Sequence, residues 1–177
     1  MQSTVLFDST TRAFLPAHCR NVRLAAQVPM LFPNMSVRRN IAFGVPAASP
    51  EIASEALQRF RLESLAEAMP WQLSGGERQR VAVARAAASA IACDNSLLLL
   101  DEPFAGLHLP LRDQLLDDLR SWLSSSRTPV LSVTHDVGEA FQLGAEVIKL
   151  SDGKVTHQGP VETTLASERD HLIARLR

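Results

Sequence analysis

Two acidic residues stand where an apolar run stops. Leu97-Leu98-Leu99-Leu100 leads into Asp101-Glu102-Pro103, the pattern of a buried strand that delivers carboxylates to its carboxyl end. One such carboxylate, Asp101, suits a hard divalent cation, which takes oxygen ligands together with water and phosphate. The next, Glu102, can orient or deprotonate an attacking water. Upstream, Ser74 and Glu77 have the S-x-x-E spacing of a capping box. Between them, Gly75 and Gly76 let an anion approach free N–H groups and the positive end of a helix dipole. His135 ends a third apolar run, Pro129–Thr134, on the same rim as Asp101 and Glu102 if the two strands run parallel. Taken singly, these are a strand reaching solvent, a capped helix and a surface histidine. Taken in order along one chain, they form a constellation.

Strands alternating with helices must position these groups. Thr4–Asp8 and Val22–Gln27 read as strands, with a loop around Pro16 between them. A short helix is expected over Ser36–Phe43, a breaker-rich linker over Pro46–Pro50, and a helix over Glu51–Ala68 that Pro70 ends. Ser74 opens the next helix, which alanine-rich residues 78–92 continue. Ser96–Leu100 and Pro129–Thr134 are strands of the buried type, and Leu111–Leu123 is an amphipathic helix between them. Asp136 and Glu139 cap a further helix. Glu146–Leu150 and Lys154–Gln158 flank Ser151-Asp152-Gly153 as a hairpin, and Val161–Leu176 reads as a last helix. The pattern predicts an α/β domain with a largely parallel sheet.

Composition narrows the classes. With 177 residues, 46% hydrophobic and 21% charged, the chain suits one domain with a real core. A net charge of −1 gives no electrostatic reason to expect nucleic acid. No apolar stretch reaches the roughly 18–20 residues needed to span a bilayer, and the first residues do not pattern as a signal peptide. Cys19 and Cys93 lie too far apart for a metal pair and are expected to be free, buried thiols.

Leu73-Ser74-Gly75-Gly76-Glu77-Arg78-Gln79-Arg80 followed by Leu97–Pro103 resembles the signature and Walker B motifs of ATP-binding-cassette (ABC) ATPases. Gln27, with Leu31-Phe32-Pro33, is similar to the family's Q-loop, and Ser132-Val133-Thr134-His135-Asp136 to its switch-histidine segment. The resemblance covers about residues 4–160. It implies a P-loop NTPase fold, a RecA-like parallel sheet with helices on both faces, plus a helical subdomain over about 36–90. It also implies ATP and Mg²⁺ sandwiched between two ATPase subunits. Asp101 and Gln27 would serve the metal, Glu102 the water and His135 the γ-phosphate. Ser74, Gly75, Gly76 and Gln79 would bind nucleotide, the signature reaching ATP held by the other subunit. The Gln27 loop would touch membrane-spanning permease subunits, placing the chain in the cytoplasm, peripheral to the inner (plasma) membrane. Phe7-Asp8-Ser9, Leu31-Phe32-Pro33 and Asn40-Ile41-Ala42-Phe43-Gly44 look most like importer ATPases of the molybdate type.

Three departures qualify the resemblance. The 177 residues contain no G-x-x-x-x-G-K-[ST] phosphate loop. The chain is therefore expected to be a single ABC domain, 1–177, that lacks its N-terminal Walker A portion and binds nucleotide weakly or not at all alone. In the family that portion lies beside the strand Pro129–Thr134, so its loss leaves an apolar edge and sheet face bare. Next, Ala105-Gly106-Leu107-His108 stands where the D-loop reads S-x-L-D, so a histidine replaces an aspartate that communicates across the dimer. Finally, the end at Arg177 leaves no room for the regulatory domain that follows many such ATPases. The leading expectation is an importer's ATP-binding subunit. The alternatives are a non-catalytic partner supplying the signature in trans to an intact ATPase, or a decayed or mis-started reading frame.

Overall fold

A computed structural model describes residues 5–144 and 146–175. Its first elements are small: β1 (Phe7–Asp8) pairs antiparallel with β2 (Ala13–Phe14), and one 3-10 turn follows at Ala17–Cys19. The strand expected from Thr4 keeps only its last two residues, with Thr4 itself outside the described residues, and the expected loop holds β2. Both thiols are free, but Cys19 is exposed and Cys93 half-buried, which corrects the expectation that both are buried.

The central sheet is β3 (Val22–Ala25), β4 (Leu97–Asp101) and β5 (Val130–Val133), parallel and in that order. Leu24 lies level with Leu99, and Leu99 with Leu131. Because side chains alternate along each strand, this register sorts the residues by face. Ala25, Leu98 and Leu100 are buried in the core, whereas Leu24, Leu131 and Val133 on the other face are each more than half exposed. Among the described residues, the outer edge of β5 has no strand partner.

Between β3 and β4 the chain is helical: α1 (Val37–Ala42), α2 (Pro50–Arg59) and α3 (Gly75–Ile91). Ala84, Ala87 and Ala88 of α3 are fully buried, and such small side chains let neighbouring backbones approach closely. The helix expected over 51–68 stops at Arg59, in a Schellman motif. Arg61 takes φ 52°, its N–H reaches the Gln58 carbonyl, and the Leu62 N–H reaches that of Leu57. Leu62, fully buried, closes the motif.

The loop after Gln27 is held to this segment by one fully buried side chain, Asn40. Its amide donates to the carbonyls of Phe32, Met35 and Ser36, and its Oδ1 accepts the Phe32 N–H at 2.9 Å. Arg85 adds a bond to the Met30 carbonyl and lies over the Phe32 ring, 4.9 Å from its centroid. Asn40→Ala strands several polar groups at once, each worth about 1–3 kcal/mol if left unsatisfied. We expect about 3 kcal/mol of lost stability in urea unfolding, with new protease cleavage inside residues 28–36. A loss below about 1 kcal/mol would show that water replaces the side chain.

The remainder is α4 (Leu109–Ser126), α5 (Val137–Leu143), the hairpin β6 (Glu146–Ser151) and β7 (Lys154–Pro160), α6 (Val161–Thr164) and α7 (Ala166–Arg175). The expected last helix, Val161–Leu176, is thus two helices broken at the buried Leu165, with Leu176 outside the described residues.

Candidate functional site

The end of β4 carries Asp101 and Glu102 to the carboxyl rim of the sheet. There the Glu102 N–H bonds the Val133 carbonyl at 2.9 Å, tying the ends of β4 and β5 together. Glu102 takes φ 49°, the left-handed region. A non-glycine residue there stores strain of order 1–3 kcal/mol, which persists where surroundings over-determine the backbone. Its carboxylate is pointed inward, 15% exposed, and meets the 83% exposed His135 ring, Nδ1 to Oε1 at 2.6 Å.

Across from it, α3 begins. Ser74 accepts the Glu77 N–H at 3.3 Å, and Glu77 receives both the N–H and the hydroxyl of Ser74 at 2.7 Å. The capping box expected from S-x-x-E is complete. The Ser74 bonds hold the Glu77 carboxyl below its ordinary range. A Cβ on Gly75 would meet nothing within 4 Å, whereas one on Gly76 would come within 2.7 Å of Leu107 Cδ2. Gly75 therefore faces open space, and Gly76 lets the turn after Glu102 pack against the helix start. Gln79 is buried, and its amide donates to the Glu102 carbonyl at 3.5 Å.

A cleft of about 300 Å³ joins these parts, lined by Gln27, Gly75, Arg78, Gln79, Glu102 and Ala105 among others. Four of the expected site residues, Gln27, Gly75, Gln79 and Glu102, thus share one cleft, and His135 contacts Glu102. Ser74 and Gly76 stand at its edge without lining it. Asp101, half-buried, lies level with Val133 at the end of β4. His108, in the turn before α4, is exposed and makes no side-chain cap.

Sequence reasoning missed Arg78, Arg112 and the burial of Glu139. Arg78 lines the cleft and donates to the Leu73 carbonyl. Arg112 pairs with Asp136, Nη1 to Oδ2 at 2.5 Å. Its signal was present: a cation near a helix start opposes the dipole and calls for an anionic partner. Asp136 does cap α5, accepting the Glu139 N–H at 2.9 Å. Glu139 itself is 2% exposed, and burial raises its carboxyl above the ordinary range.

The Glu102 hydrogen bond, and then its charge, raise the His135 imidazole above its ordinary 6.5, with Asp136 and Glu139 adding to it. A raised folded-state value contributes stability that is complete below the unfolded pKa and lost as pH rises through the folded one. His135→Ala should accordingly destabilise most at mildly acidic pH and less at alkaline pH, where only the neutral Nδ1–H contact remains, read from urea midpoints across a pH series. The effect will be small because the ring is solvent-exposed. A difference that grew with pH would contradict the contact.

Residues 2–105 match the family model for the ABC transporter domain. The molybdenum import ATP-binding protein ModC of Vibrio cholerae is 36% identical over 92% of this chain and 43% of its own length. The Fe(3+) ions import ATP-binding protein FbpC of Streptomyces coelicolor is 38% identical over 97% of this chain and 50% of its own length. Among solved structures, cbiO1 from Clostridium perfringens, part of the ABC transporter complex cbiONQ, superposes with a TM-score of 0.71 at 25% identity. It covers 89% of this chain and 64% of that one. A dimeric ATP-binding cassette in a post-hydrolysis state with ADP and Pi gives a TM-score of 0.67 at 28% identity, covering 80% and 63%. The chain belongs to the ABC transporter ATPase family and has its P-loop NTPase α/β fold. It spans about half the length of the curated relatives it matches.

The donor chemistry fits the family's ligands in part. Asp101 and Gln27 offer only oxygen donors, a set that suits Mg²⁺ when phosphate and water complete it. The start of the 17-residue α3, open at Gly75, suits an anion.

Proposed function

We propose that this chain is the ATP-binding subunit of an ABC importer, for molybdate or another oxyanion, working as a dimer with permease subunits. The observation that carries the reading is the Glu102–His135 contact beside a cleft shared by Gln27 and the signature helix. In this reading Glu102 orients the attacking water and takes its proton, while His135 holds the terminal phosphate. Gln27 and Asp101 would hold Mg²⁺, which would neutralise charge on the phosphates. The β- and γ-phosphates are cradled by a phosphate loop supplied outside these 177 residues. Peripheral attachment to the membrane follows from the permease contact. No helix among the described residues is long and apolar enough to cross a membrane.

Deleting the coding region in the native host tests the solute. Molybdenum content of cells grown at limiting molybdate should fall, and wild-type chain, but not the Glu102→Gln variant, should restore it. Unchanged content would remove molybdate.

The exposed start of α3 favours a second reading, in which the chain supplies its signature in trans to an intact cassette without hydrolysing ATP itself. Mixing with such a homologue should then stimulate hydrolysis, and Ser74→Arg should abolish the stimulation. No stimulation would dismiss this reading.

A further inference from the structure

Close to the Glu102–His135 contact lies a charged pair that the proposed chemistry does not use. Arg112, 16% exposed, stands near the start of α4 and reaches both Asp136 at 2.5 Å and Asp113 at 3.5 Å. Asp136 is engaged twice. One oxygen takes the Arg112 guanidinium and the other caps α5 through the Glu139 N–H at 2.9 Å. The surroundings are tight: a Cβ on Gly138 would lie 3.0 Å from Asp136 Oδ1 and 3.8 Å from Arg112 Nη2. Behind the pair, the buried Glu139 receives the Ser132 hydroxyl of β5 at 3.5 Å. The residue following His135 is therefore clamped on both oxygens, from two helices. His135 is 83% exposed and its ring is held by Glu102. An exposed ring keeps one short contact only if its backbone is fixed, since a free loop spreads it over many rotamers and positions.

We propose that Arg112 is a positioning residue: through Asp136 it fixes the His135 loop against Glu102. The turn at 103–108, which leads from Glu102 into α4, and the loop that bears His135 then move as one unit. The catalytic meaning of this coupling rests on the reading of Glu102 and His135 given above, but the coupling itself does not.

The test is nitrogen NMR on the full chain carrying ¹⁵N-labelled histidine, at alkaline pH where the imidazole is neutral. Contact between Nδ1 and a carboxylate requires the Nδ1–H tautomer, whereas a free imidazole favours Nε2–H. Wild-type His135 should be Nδ1–H, and Glu102→Ala should convert it to Nε2–H. Arg112→Leu should produce the same conversion, and adding Glu102→Ala to it should change nothing further. Arg112→Lys should retain part of the Nδ1–H signal. If Arg112→Leu lowers stability yet leaves His135 as Nδ1–H, its role is structural and the proposal is overturned. Should Arg112→Leu fail to fold, Asp136→Asn keeps the cap acceptor and removes the charge. Reversion to Nε2–H in that variant supports the proposal, and retention of Nδ1–H overturns it. The readout needs no nucleotide. An assembly whose ATP turnover is unchanged by Glu102→Gln would refute the functional reading and leave this one standing.

Discussion

Phe104→Ala will lower the unfolding free energy by about 3–5 kcal/mol, the range for truncating a fully buried aromatic. Phe104 is 0% exposed, and its ring lies 6.5 Å from that of Phe60, itself 1% exposed at the end of α2. This pair joins the turn that follows Glu102 to the helical segment. Its removal opens a cavity in the core cluster that also holds the fully buried Leu115 and Leu116 of α4. The urea midpoint should fall with an unchanged slope, because the surface exposed on unfolding is nearly the same. A loss below about 1.5 kcal/mol would mean the core collapses into the space.

Glu102→Gln should reduce ATP turnover by about 100- to 10,000-fold in whatever assembly supplies the phosphate loop. Glutamine has the same size and still accepts a bond from His135 Nδ1, so the fold around the contact should survive. What it cannot do is take a proton from water. Nucleotide affinity should stay within a few-fold of wild type, measured by binding of a fluorescent ATP analogue, while phosphate release collapses. A fall in turnover of less than about tenfold would remove Glu102 from the role of base.

The elements that carry these effects differ in how readable they were. The capping box at Ser74–Glu77 and the apolar run before Asp101 were legible because each is set by local chemistry. One is a side chain satisfying free N–H groups, the other an apolar strand, though only its Leu98 and Leu100 face is buried rather than both faces. The convergence of Glu102 and His135 followed from supposing β4 and β5 parallel, which the register confirms. Helix ends were less legible. At Arg61 and Arg127 the chain enters the left-handed region without glycine, so the usual stop signal is absent. The stop comes instead from tertiary burial of Leu62 and, at Arg127, from the Thr128 N–H reaching the Leu123 carbonyl. Arg112–Asp136 spans two helices, and no local pattern fixes which acid an arginine will choose. The tie of Asn40 to the Gln27 loop was hidden for the same reason: an asparagine inside a short helix looks like an ordinary polar residue until its neighbours surround it.

The sheet order also governs how the chain is made. β3 pairs with β4 across the whole helical segment, and β4 with β5 across α4. A ribosome adding about 5–20 residues per second releases β3 several seconds before its first partner exists. In that interval α1, α2 and α3 can form from nearby contacts, which close fastest. β3 cannot, and its Val22 and Leu24 wait unpaired. Nascent chains stalled before Leu97 should therefore recruit chaperones that grip extended apolar segments, and those released after Asp101 should do so less.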